Sequence, residues 1–172
     1  MISYGNKRVS LTGIIPVEAM SWRNESSVYD YCRQHTLISP QDQLNWLDKI
    51  ETDPLIKMYG IDYYGEEVGV CGFTSINLIN RSAEFSLYIK PEAQGKGLGK
   101  DALYCLIRHG FEAWGFNRIW GETFSKNPAL DLFTSMGFKI EGKLKQTHFK
   151  KGVYLDSFMI AILRSEWDEL CD

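Results

Sequence analysis

The chain has 172 residues, 44% of them hydrophobic and 13% aromatic, with a formal net charge of −3. That length and composition predict one domain over residues 1–172 with an ample core, and they argue against disorder. The weak acidity excludes a general nucleic-acid footprint, and no apolar run approaches the ~20 residues of a membrane span. The N-terminus lacks a basic-then-apolar leader pattern. Cys32, Cys71, Cys105 and Cys171 lie far apart with no CxxC pair, so no metal site is expected. Cys71 and Cys105 fall inside apolar patterns, which suits buried reduced thiols in a cytoplasmic protein.

Arg8 to Ile14 alternates weakly and reads as a first strand. Pro16 to Cys32 reads as helical with a break near Trp22-Arg23-Asn24. Ser39 and Pro40 form a helix start, cap followed by first-turn proline, and Leu44, Leu47 and Ile50 then share one side. Ile56 to Tyr64 and Val68 to Ile79 are strand-like and joined by Gly65-Glu66, so they predict a hairpin. After a turn at Asn80-Arg81, Ala83, Phe85, Leu87 and Ile89 alternate with polar or amphipathic neighbours at a period of two. Leu98 to Trp114 carries a broad apolar face suited to a helix packed on a sheet. Arg118 to Thr123 is a short strand, a helix follows Asn127, and Phe138 to Lys150 and Val153 to Leu163 form a terminal hairpin about Lys151-Gly152. The prediction is α+β: a central mixed, mostly antiparallel sheet of about seven strands flanked by about four helices.

The most informative stretch is Gln94-Gly95-Lys96-Gly97-Leu98-Gly99-Lys100, between a strand and a helix start. A glycine-rich turn there presents backbone N–H groups at the positive end of a helix dipole, an anion site. A Walker loop fails, because Gln94 stands at its first glycine and Asp101 at its Ser/Thr. The dinucleotide fingerprint fails, because Lys100 stands at its third glycine. Gln-x-x-Gly-x-Gly remains. It resembles motif A of the GNAT N-acetyltransferases, whose loop holds the pyrophosphate of acetyl-CoA. The run from Asn127 to Phe138 is similar to that family's Asn-x-x-Ala-x-x-x-Tyr-x-x-x-Gly-Phe segment, and the order of elements agrees from Arg8 to Trp167.

The resemblance implies a GNAT fold and an acetyl-CoA-dependent transfer to a primary amine, with no metal. It assigns the pyrophosphate to Gln94, Gly95, Lys96, Gly97, Leu98, Gly99 and Lys100. It assigns the pantetheine arm to the backbone of Leu87, Tyr88 and Ile89, on a strand splayed from its neighbour, with the Ile89 N–H polarising the thioester carbonyl. Asn127 and Phe133 are placed beside the cofactor. A primary amine has a pKa near ~10, so a base is needed, and Glu84 and Glu122 are the candidate carboxylates. Two departures stand out. Phe133 occupies the position where many members carry an acidic tyrosine, and Asn127 lies one residue closer to Phe138 than the family pattern. Tyr88, Ser125 and Ser135 are the candidate replacement acids. A non-catalytic acetyl-CoA-binding module is the competing reading that Phe133 keeps open. His35 and His109 read as surface and structural, and His148 has no assigned role.

For the acceptor, the resemblance points to a small metabolite, with a nucleotide-linked amino sugar preferred. Protein N-termini of the ribosomal-protein type and polyamines are the alternatives. The partner is a small-molecule amine, with neither nucleic acid nor membrane, and the protein is a monomer or a homodimer.

Overall fold

The computed structural model describes residues 1–5 and 7–171. Seven strands form one sheet: β1 (Ser10–Thr12), β2 (Lys57–Tyr63), β3 (Glu66–Asn77), β4 (Ser82–Ile89), β5 (Arg118–Phe124), β6 (Lys139–Lys150) and β7 (Val153–Leu163). Their order is β1-β2-β3-β4-β5-β7-β6. Neighbours are antiparallel except β4 and β5, which are parallel. Six α-helices accompany them among the described residues: α1 (Ala19–Asn24), α2 (Ser26–Tyr29), α3 (Pro40–Thr52), α4 (Leu98–Glu112), α5 (Leu130–Ser135) and α6 (Arg164–Cys171). The strand count is the expected one; the helices exceed the expected four.

The two extra helices have local causes. The Pro16–Cys32 stretch divides at Glu25, whose ψ of 140° is extended. Asn24 drives the division: its Nδ2 donates to the Ile38 carbonyl and its Oδ1 accepts the Ile38 N–H, both at 2.8 Å. A side chain bonded in this way ties α1 to the distant loop rather than to its own next turn. The terminal helix α6 starts with the Glu166 carboxylate accepting the Leu163 N–H at 2.9 Å. It buries Trp167 against Tyr104 and Phe111.

Several boundaries shift. β1 is only three residues long. β3 stops at Asn77, whose Oδ1 accepts the Asn80 N–H and closes the turn, leaving Leu78 and Ile79 exposed. α3 carries the expected Ser39 cap in a reciprocal box with Asp42. Its inward stripe, however, runs through Gln43, Trp46 and Ile50, while Leu44 is exposed.

Two apolar clusters cover the sheet. The larger holds α4 through Leu98, Ala102, Leu103, Leu106 and Phe111, against Phe73, Ile119 and Ile160. Each fully buried Leu, Ile or Phe among them contributes ~1.5–3 kcal/mol. The smaller joins Ala19 and Val28 to Met58, Val70 and Tyr88. α4 is thereby fixed on one face with its N-terminus beside the end of β4, and α1–α3 on the other. Cys71 and Cys105 are buried free thiols, and burial pushes both thiols up.

Candidate active site

β4 and β5 pair only through Ser82–Glu84 and Arg118–Trp120. Beyond Glu84 and Trp120 they part, which is the splay expected of this strand. The Lys90 N–H donates to Val68 on β3 at 2.8 Å. Alternation along a strand therefore turns the N–H groups of Leu87 and Ile89 away from β3, toward the gap.

Two clefts meet across that gap. A groove of about 400 Å³ is lined by Leu87, Tyr88, Ile89, Gln94, Gly99 and Asn127, with Leu132 and Phe133 on α5. A second cleft of about 380 Å³ is lined by Arg23, Tyr31, Cys32, Arg33, Glu122 and Thr123, among others. Tyr31, Cys32, Leu87, Tyr88, Asn127 and Phe133 line both.

The groove runs to the N-terminus of α4. Gly95 and Gly97 adopt left-handed φ of 73° and 77°, and Gly97 is the N-cap. Among the described residues, no acceptor meets the backbone N–H groups of Gly95, Lys96, Gly97, Leu98 or Gly99. Five free donors at a helix start fit a pyrophosphate. A Cβ at Gly95 would meet nothing within 4 Å, so the glycines keep the loop bare and supply conformations that L-residues rarely adopt. The Leu98 side chain is buried, so only its N–H faces the groove. Lys96 and Lys100 are exposed. Gln94 Nε2 donates to the Ile89 carbonyl at 3.0 Å, tying the loop to the end of β4. Arg8, unremarked in the sequence, braces the loop from outside. Its Nε donates to Asp101 at 2.7 Å and its Nη1 to the Lys96 carbonyl at 3.1 Å.

The second cleft holds the carboxylates. Glu122 faces it from β5, two residues before the strand ends. Its Oε1 accepts His148 Nε2–H at 2.8 Å and the Ser157 hydroxyl at 2.5 Å; its Oε2 lies 3.4 Å from Arg33 Nη1. Burial pushes the Glu122 carboxyl up, but the Ser157 and His148 hydrogen bonds and the His148 and Arg33 charges outweigh it. The carboxyl ends below its usual range. Glu84 is placed differently from the expectation: it is 6% exposed and does not line the cleft. Arg33 Nη2 donates to its Oε1, while Thr74 and Ser75 donate to its Oε2 at 3.3 Å. Glu84 is thus the buried anchor of Arg33, and Glu122 the carboxylate with an open face.

Asn127 is engaged in its own turn. Its Oδ1 accepts the Ala129 N–H and its Nδ2 donates to Thr123, both at 2.9 Å. Phe133 packs edge-on against Phe85. Of the three candidate acids, only Tyr88 lines the clefts, and burial raises its hydroxyl pKa. Ser125 lines a separate depression, and the Ser135 hydroxyl is bonded to the Leu132 carbonyl. His109 is structural as expected, held between the Tyr4 and Tyr59 hydroxyls at 3.0 Å each. Arg33, His148 and Ser157 were not singled out. His148 reaches Glu122 because β6 bulges between Leu144 and His148, which resets its register on β7. No sequence period carries that information.

Residues 15–139 match the family model described as acetyltransferase (GNAT) domain. The chain belongs to the GNAT acetyltransferase family. Spermidine N(1)-acetyltransferase of Escherichia coli is 26% identical over 145 residues, covering 84% of this chain and 78% of that protein. Acetyltransferase PseH of Campylobacter jejuni is 28% identical over 120 residues, covering 69% and 73%. The crystal structure of Vibrio cholerae spermidine N-acetyltransferase with CoA and spermine superposes with a TM-score of 0.87 at 24% identity, covering 94% of this chain and 99% of that one. At that identity the likeness speaks for the fold. This GNAT protein is an N-acetyltransferase whose acetyl donor is acetyl-CoA. Among the described residues no cluster of three His, Cys, Asp or Glu side chains is grouped to hold a metal. Among the described residues no helix is long and apolar enough to cross a membrane.

Proposed function

We propose that this protein acetylates a primary amine of the polyamine type, by direct attack within the second cleft. The observation that carries the reading is Glu122, a carboxylate held ionised at the mouth of the β4–β5 gap. An ionised carboxylate binds an ammonium and, through Oε2, whose contact to Arg33 is the long one at 3.4 Å, takes a proton from it directly or by way of water. Bound acetyl-CoA supplies an activated thioester. The backbone N–H groups of residues 95–99 hold its pyrophosphate, and those of Leu87 and Ile89 orient the arm and polarise the carbonyl. The pairing of the Glu122 carboxylate with the Ser157 hydroxyl and the His148 ring fixes its geometry before substrate arrives. Phe133 offers no proton, and Tyr88 and Tyr31 are the two phenols lining both clefts that could protonate the departing thiolate. Spermidine enzymes among the relatives favour the polyamine class.

A specific observation favours a second acceptor. Arg23 and Arg33 line the same cleft as Glu122, which suits an amine carried on an anionic body, such as a nucleotide-linked amino sugar. CoA-thiol release with spermidine, spermine, nucleotide-linked amino sugars and free N-terminal peptides separates the two. Fastest release with the polyamines supports the first reading, and with the sugar nucleotides the second. Tight acetyl-CoA binding without release for any amine would leave the protein a binding module.

A further inference from the structure

Lys150 is 7% exposed, at the end of β6 and beside the hairpin turn. Its ammonium has three donor positions, and all three are directed at backbone carbonyls at the end of α2 and in the loop that follows it. Nζ donates to the Cys32 carbonyl at 2.6 Å, to the Gln34 carbonyl at 3.2 Å and to the Tyr29 carbonyl. It also lies 3.9 Å from the centre of the Tyr29 ring. That loop links α2 to α3 and carries Cys32, Arg33 and Gln34 into the second cleft. Its other side-chain ties run through Gln34 to Arg23 and through Tyr29 to the His35 carbonyl within the helical layer, through Arg33 to Glu84 and Glu122 on the sheet, and through Asp30 to the neighbouring Lys151 at 2.5 Å. The Lys150 tie crosses from that layer to the far hairpin.

We infer that Lys150 is a positioning residue for the acceptor site: by gathering the last carbonyl of α2 and two carbonyls of the α2–α3 loop, it holds Arg33 across Glu84 and Glu122. The inference rests on the reading of the second cleft as the acceptor site. The carbonyls bracket Arg33 on both sides, at residues 32 and 34, so releasing them frees the Arg33 backbone. A guanidinium that wanders no longer pins Glu84 or shapes the open face of Glu122. The pyrophosphate loop, held by its own backbone and by Arg8, is untouched by such a change.

The test compares wild type, Lys150→Met, Arg33→Gln and the double variant. Lys150→Met, similar in length but without donors, is expected to raise the amine KM by ~10-fold, less than the ~100-fold that a misplacement of about 1 Å can cost. Acetyl-CoA affinity is expected to stay within ~2-fold, since the loop donors are intact. In the Arg33→Gln background the same change is expected to add less than ~2-fold, because the two residues act through one contact. Effects that multiply would overturn the inference, as would equal losses in acetyl-CoA affinity and amine KM. A measurement without turnover stands beside these. Amide hydrogen exchange over residues 30–35 should quicken in Lys150→Met while α4 keeps its protection, and unchanged exchange would overturn the inference. Quickened exchange in a protein that acetylates no amine would instead defeat the reading of the cleft.

Discussion

Replacing Glu122 by glutamine tests the centre of the proposed chemistry. The amide oxygen still accepts from His148 and Ser157, but the amide nitrogen then faces Arg33 at a position now 3.4 Å from a guanidinium nitrogen, donor against donor. Losing hydrogen bonds to a charged acceptor costs about 1.5–3 kcal/mol. At about 2–4 °C per kcal/mol for a chain of this size, Tm is expected to fall by about 3–12 °C, leaving the protein folded at assay temperature. The catalytic effect is larger. A positioned general base contributes ~10²–10⁴-fold, so kcat is expected to drop by that factor with a smaller change in KM. The variant should recover about tenfold per pH unit toward the amine pKa near ~10, because only pre-deprotonated amine then reacts. The stability effect has a defined sign. The folded Glu122 pKa lies below its unfolded value, so its contribution is full above about pH 5 and is lost as pH falls through the depressed folded pKa. The Tm difference between wild type and variant should therefore close in acid. CoA-thiol release across pH and thermal melts measure both. A variant that keeps kcat within ~3-fold of wild type would refute Glu122 as the base.

Three further outcomes are expected. Gly97→Glu sets a carboxylate at a left-handed helix cap and beside the pyrophosphate; at ~4 Å and an effective dielectric of ~20, like charges cost about 4 kcal/mol, so calorimetry should show acetyl-CoA affinity falling by more than ~100-fold. Unchanged affinity would remove the loop from the cofactor site. Gly69→Ala would bring a Cβ within 2.4 Å of the Tyr88 carbonyl, pushing on β4 where it faces the gap. It should destabilise by about 1–3 kcal/mol and raise the acetyl-CoA KM, and a neutral result in both would contradict the role of β4. His109 has its pKa lowered by burial, so the unfolded state takes up the proton first and stability drops as pH falls below the ordinary value near ~6.5. His109→Gln should flatten the melting temperature between about pH 7 and 5, and an unchanged slope would assign that acid sensitivity elsewhere.

The strands and the cofactor loop were legible because their signals are local. Alternation over Ala83–Ile89 defines β4, and left-handed turns demand glycine at positions 95 and 97 whatever lies around them. The Ser39-Pro40 start of α3 is equally local, a cap within one turn of its acceptor. The inward stripe of α3 was not, because an amphipathic helix bearing both Leu44 and Trp46 turns whichever face the neighbouring layer accepts. Arg33, His148, Ser157 and Lys150 carry no motif. They meet Glu122, Glu84 and the α2–α3 loop across separations that only the sheet order, the β6 bulge and the splay of β4 from β5 bring together. Sequence alone determined the strands, the family and the glycine-rich turn at the start of α4, since each depends on neighbours in the chain. Tertiary structure decided which carboxylate lines the cleft and which is buried beneath an arginine, since desolvation and hydrogen bonding depend on neighbours in space.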